Sequence, residues 1–179
     1  MDSIKYCNDL LVRLEELMFH ELSGMVWWKC EFVGVDFIRS KQIEGKTVDE
    51  IVRSCSKEII AGELVKNIFH KVGADGVMLK LRIKDCVHHP KEAQIKKDGV
   101  APYICPIANM ILDQIHEKLK YETSYLAKLA IDGDKKECLV YMALYETAAK
   151  IGQVTDCHAD DEDVEFLARQ PSQILAPNQ

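Results

Sequence analysis

The stretch Thr123-Ser124-Tyr125-Leu126-Ala127-Lys128-Leu129-Ala130-Ile131-Asp132-Gly133-Asp134-Lys135-Lys136-Glu137-Cys138-Leu139-Val140-Tyr141-Met142-Ala143-Leu144-Tyr145 decides the fold. Two strand-like runs, Thr123 to Ile131 and Glu137 to Tyr145, flank Asp132-Gly133-Asp134, and an Asp-Gly pair between apolar runs is a strong short-range signal for a β-hairpin turn. Side chains alternate between the faces of a strand, yet both arms are apolar at successive positions. Such a hairpin belongs to a sheet covered on both faces, by helices or by a partner subunit.

Working upstream, Ile107, Ile111, Ile115 and Leu119, supported by Met110 and Leu112, recur at helical spacing from Pro106 onward. Cys105 then stands at the N-cap with proline at the first helical position, where a thiol faces unpaired backbone N–H groups and the positive end of the helix dipole. That setting favours a thiolate, which can bind metal or react. The polar, lysine-rich run from Pro90 to Tyr103 reads as a connecting loop. Before it, Val77, Leu79, Leu81 and Ile83 alternate with Met78, Lys80, Arg82 and Lys84, the period of a strand with one buried face. The alternation fails at Asp85-Cys86, so the strand ends at the cluster Cys86-Val87-His88-His89.

Thr47-Val48-Asp49-Glu50 has the form of a capping box. Apolar residues from Val48 through Phe69 predict one long helix stopping at Gly73, with Gly62 a weak point. Ile4, Cys7, Leu11, Leu14 and Met18, widened by Leu10 and Leu17, form the stripe of an amphipathic N-terminal helix that packs on its own domain or serves dimerisation. Ser23 to Ile38, rich in Val, Trp and Phe, reads as strand or irregular apolar structure. Asp160 to Arg169 predicts a short acidic helix followed by a loose tail. The order of elements makes the chain α+β, an antiparallel sheet packed with long helices and ending in a β-hairpin, with one domain over 1–155 and the acidic helix and tail over 156–179.

The 179 residues suit one domain with a substantial core. With 23 basic and 29 acidic residues the net charge is −6, which provides no general electrostatic drive toward nucleic acid or an anionic membrane. No apolar run approaches the roughly 20 residues of a membrane helix, and Met1-Asp2-Ser3 lacks the pattern of a signal peptide, so a cytoplasmic protein is expected. The seven cysteines are odd in number and scattered, so a disulfide framework is not expected. Cys7 and Cys55 fall on apolar helical positions and read as small core residues.

The end of the long helix and the strand over Gly73 to Ile83, the Cys105-Pro106 helix start and the hairpin from Ala130 to Cys138 together resemble the 4-vinyl reductase domain family, over about residues 45 to 145. That family includes ligand-sensing domains of aromatic-responsive bacterial regulators and shares its α+β fold with vesicle-tethering TRAPP subunits. The resemblance implies a homodimer, a cavity for a small apolar molecule and, in many members, zinc held by a Cys at the helix start, an acidic residue and a Cys before the hairpin turn, and a Cys after it. Cys105 and Cys138 match the first and last of these. Ala130 and Ile131 stand where the family would place a Cys, and Glu122 lies too far upstream. Cys86 with His88 or His89 is the substitute set, and zinc accepts mixed sulfur and nitrogen donors in tetrahedral geometry. The alternative for these residues is ordinary: Cys138 in the core beside Val140 and Met142, and His88-His89-Pro90 as a solvated turn.

Three functions follow. The first is a non-catalytic module, supported by structural zinc, that binds or senses a small apolar molecule, with Trp27, Trp28, Phe32, Phe37 and Tyr103 as cavity candidates or plain core. The second is an enzyme, a reductase or accessory protein of tetrapyrrole-type metabolism as the family name suggests. The chain has no G-x-G-x-x-G fingerprint, P-loop or cluster-binding cysteine run, and only Glu92 or Glu122 as a base for zinc-assisted hydrolysis. The third is a thiol-based redox sensor in which Cys105 pairs with Cys86 or Cys138.

Overall fold

The computed structural model describes residues 3–22, 31–73, 78–100, 102–121 and 123–146. Trp27, Trp28, Glu122 and the expected acidic helix and tail lie outside them. The described elements run α1 (Ser3–Leu22), α2 (Val35–Arg39), α3 (Val48–Ala61), β1 (Asn67–Val72), β2 (Met78–Lys84), α4 (His89–Lys97), α5 (Pro106–Leu119), β3 (Thr123–Asp132) and β4 (Glu137–Tyr145). The chain is α+β, with a four-stranded antiparallel sheet in the order β1-β2-β4-β3. No helix among the described residues is long and apolar enough to cross a membrane.

β4 lies inside the sheet, bonded to β2 from Met78↔Ala143 to Lys84↔Glu137 and to β3 from Thr123↔Tyr145 to Asp132↔Glu137. All its residues are buried, as its unbroken apolar pattern requires. On one face Cys138, Val140, Met142 and Leu144 join Leu79, Leu81 and Ile83, with Ile51, Cys55 and Ile59 of α3 and Ile107, Ile111 and Ile115 of α5, in the main core. Each such isoleucine or leucine stabilises the fold by roughly 1.5–3 kcal/mol through burial. On the opposite face Leu139, Tyr141, Ala143 and Tyr145 form a second buried cluster with Met78 and Ala130. The hairpin turn is built around Asp132, whose Oδ1 accepts from the backbone N–H groups of Asp134 and Lys135, both at 3.1 Å; the left-handed residue is Lys136, φ 52°, at the end of the turn.

The capping box forms. Thr47 is the extended N-cap of α3 and its hydroxyl accepts from Glu50 N at 3.3 Å, while the Glu50 carboxylate reaches back to Lys46 N at 2.7 Å, one residue before the cap. Gly45 precedes it at φ +147°, and a Cβ there would lie 2.7 Å from Ile51 N, so only glycine allows the chain to enter the helix this closely. Thr47→Ala should lower stability by about 1 kcal/mol, seen as a reduced midpoint in urea with an unchanged slope.

Three expectations are corrected. The long helix from Val48 ends at Ala61, capped by Gly62; Glu63 turns left-handed at φ 58°, and Asn67–Val72 becomes an edge strand with Ile68 inside and Phe69 exposed. The segment ahead of Arg39 holds a short helix, α2, rather than a strand in its described part. Finally, α1 buries Asn8, Val12 and Glu15, whereas Ile4, Leu10, Leu14 and Leu17 of its apolar stripe are exposed and Cys7 with them. The physical reason is that the buried polar groups are answered by specific partners: Asn8 Nδ2 donates to Val87 O at 2.7 Å, and Glu15 pairs with Lys91.

Candidate functional site

Three thiols arrive at one buried place from three segments. Cys138 is the second residue of β4, opposite Ile83 of β2 on one side and Ile131 of β3 on the other. Cys86 follows the end of β2, where Asp85 turns at φ 48° and donates its N–H to Lys136 O across the hairpin, 2.9 Å. Cys105 is the extended N-cap of α5, with Pro106 at the first helical position as its sequence implies. Cys105 and Cys138 are 5% and 4% exposed, and Cys86 is half-buried; all three are free thiols.

Burial disfavours the thiolate expected at Cys105. Burial pushes the Cys105 thiol far above its ordinary range, with the charges of Glu92 and Cys86 acting the same way and the Ala108 N–H opposing. No capping hydrogen bond forms from its side chain. A helix terminus contributes about 0.3–1 kcal/mol to a nearby anion, less than it costs to bury a thiolate without a cation. Cys138 is raised for the same reasons, burial first, then Glu92, Cys105 and Cys86. Cys86 is pushed up to about 11, mainly by burial, and Glu92 contributes there too. The three sulfurs and the Glu92 carboxyl therefore feel one another's charge.

Each histidine ring spends one nitrogen on a partner other than the sulfurs. His88 Nδ1 pairs with Asn8 Oδ1 of α1 at 3.2 Å, and His89 Nε2 with the Asp132 carbonyl at 3.3 Å. Burial, with Lys91 nearby, lowers His88 to about 4, so its ring is neutral near pH 7. What the His88 residue gives Cys86 is a backbone N–H, 3.4 Å from Sγ.

Sequence reading placed a loop where α4 stands, and so missed the charged centre that the helix carries. Pro90 lies in its first turn with Glu92, and the histidine pair precedes them; Pro at a helix start with an acidic first turn was the available signal. Lys91, 1% exposed, gives hydrogen bonds from Nζ to Glu15 Oε2 (2.6 Å), Glu92 Oε1 (2.7 Å) and Ile104 O (2.9 Å). Three partners exhaust an ammonium group. Glu15 is fully enclosed: its Oε1 accepts from Tyr103 N and Ile104 N at 3.0 and 3.2 Å, and its carbonyl accepts from the Tyr103 hydroxyl at 2.7 Å. Glu92 is 3% exposed, and its Oε2 has no hydrogen-bond partner among the described residues. Burial raises Glu92 to about 7, Lys91 holding it down and Glu15 pushing it further up.

The aromatic cavity candidates are dispersed. Phe32 is exposed and lines an open cavity of about 700 Å³ whose walls also include Leu112, His116 and the Arg39–Asp113 ion pair. Phe37 packs at the Gly62 end of α3 beneath Lys41, and Tyr103 sits between Glu15 and Phe19. Trp28 lies outside the described residues.

Three thiols and a carboxylate suit zinc chemically, and the partnerless Glu92 oxygen is a donor awaiting a cation or a proton. Among the described residues, however, no three His, Cys, Asp or Glu side chains stand at the spacing of a formed metal centre. No family model, curated protein or solved structure matches the chain.

Proposed function

We propose that this chain is a non-catalytic binding module of the 4-vinyl-reductase and TRAPP-like kind, dimeric, taking a small apolar molecule and stapled by a structural zinc ion at Cys86, Cys105 and Cys138. The observation that carries the metal half is the convergence of three thiols and one partnerless carboxylate oxygen in one buried neighbourhood. Where the family would draw a ligand from the strand preceding the turn, Ile131 occupies the core opposite Cys138; Cys86 comes instead from beyond β2, on the other side of β4. When bound, zinc would exchange three S–H bonds for zinc–thiolate bonds and tie together the ends of β2, α5 and the hairpin. The exposed apolar flank of α1, Leu10, Leu14 and Leu17, supports a second copy as partner, and the ligand half rests on the resemblance.

A redox-sensing role needs a ready thiolate, and burial disfavours one at each sulfur. Protein purified without chelator should contain close to one zinc per chain, and Cys105→Ser should lose most of it while remaining folded. A wild-type chain without zinc, or a Cys105→Ser chain with undiminished zinc, sinks the site. Zinc at 100 times its Kd should add about 2.7 kcal/mol of stability.

A further inference from the structure

We infer that Glu92, not a histidine, is the fourth donor of this metal site, its carboxylate shared between the ion and Lys91. The inference rests on the preceding reading and deepens it.

The placement follows from four contacts. Lys91 Nζ lies 2.9 Å from the Ile104 carbonyl, immediately before Cys105, and 2.7 Å from Glu92 Oε1. The first turn of α4 is thus held against the start of α5. His89 N donates to Cys86 O, and the His89 ring meets Asp132 O in the hairpin whose next rung is Ile131↔Cys138. The carboxyl of Glu92 is therefore enclosed by the segments that bring the three thiols. One of its oxygens is spoken for by Lys91; the other is buried with no hydrogen-bond partner among the described residues.

A buried carboxylate oxygen left unsatisfied is destabilising, and a coordinated cation removes that cost. The imidazoles are placed differently. Each spends one ring nitrogen elsewhere, His88 Nδ1 on Asn8 Oδ1 of α1 and His89 Nε2 on the Asp132 carbonyl of the hairpin, whereas the Glu92 oxygen is buried with no hydrogen-bond partner among the described residues. Lys91 then acts beside the site, donating to the ligating carboxylate and offsetting part of the negative charge that three thiolates and a carboxylate bring to one dication; it orients Glu92 much as outer hydrogen bonds orient metal ligands elsewhere. Three thiol protons, and any proton on the Glu92 carboxyl, leave to solvent for each ion bound.

The test titrates the full chain with zinc in competition with a chromophoric chelator, and with cobalt(II) read by its visible absorption. Wild type, His88→Ala and His89→Ala should bind alike within a few-fold. Glu92→Gln should bind at least 10- to 100-fold more weakly with a changed cobalt spectrum, and Glu92→Asp, which keeps the carboxylate on a shorter arm, should fall between. Glu92→Gln also lacks the unsatisfied anionic oxygen, so it should fold; circular dichroism verifies that. Glu92→Gln binding as tightly as wild type, or a comparable loss confined to a histidine variant, overturns Glu92 as ligand and leaves the site standing. Wild type that takes up neither ion overturns the site itself.

Discussion

Replacing Lys91 with Met should lower folding stability by about 3–5 kcal/mol, the cost of breaking a buried ion pair by removing one partner. Lys91 is buried to 1% exposure and bridges Glu15, Glu92 and the Ile104 carbonyl. Methionine fills much of the volume but leaves two buried carboxyls facing each other without a cation. Part of the loss should return in the double variant Lys91→Met with Glu92→Gln, because one of the stranded charges is gone. Urea unfolding of the apo proteins measures both. A single-variant cost under about 1 kcal/mol would mean that the carboxyls find protons or water cheaply, and the cluster would lose its structural importance.

Ile111→Ala should cost about 2–5 kcal/mol. Ile111 is 0% exposed at the middle of α5, in the core shared with α3 and the inner face of the sheet. Two further isoleucines, Ile107 and Ile115, sit one turn away on either side and are equally enclosed, so the cavity has little freedom to collapse. The same substitution at exposed Ile60 should change stability by less than about 0.5 kcal/mol. If the two variants unfold at the same denaturant concentration, the packing described for α5 is wrong.

The sheet and its helices were legible wherever one strong local signal dominated. Thr47 to Glu50, the alternation through Ile83, Cys105-Pro106 and the Asp132-Gly133 turn all stand where their sequence places them. Error entered where two periods compete. Leu64, Ile68 and Phe69 satisfy a helical spacing, yet Gly62 and left-handed Glu63 had already ended the helix, and pairing with β2 claimed Asn67 to Val72. For α1 the apolar stripe misled because the buried face is held by Asn8 and Glu15, whose partners are some eighty residues away in sequence. The same blindness hid the site. Cys86, Cys105 and Cys138 could be singled out by type, but Glu92 could be named only as one of two possible bases, and Lys91 looks like an ordinary surface residue of a polar run until tertiary contacts bury both. Cys105 shows the converse: its cap position was right and its acidity was not, because solvent exclusion is a property of the assembled core.

The strand order has a kinetic consequence. β1 with β2, and β3 with β4, are neighbours in sequence and can each close as a local hairpin, but the seam that makes one sheet, β2 against β4, waits for everything from Asp85 to Lys136 to find its place. Non-local pairing of this kind is what slows folding. The thiols and Glu92 lie along that seam and its crossover, so metal present during refolding should act on the late docking of two preformed halves, leaving the early hairpins to close at their own pace.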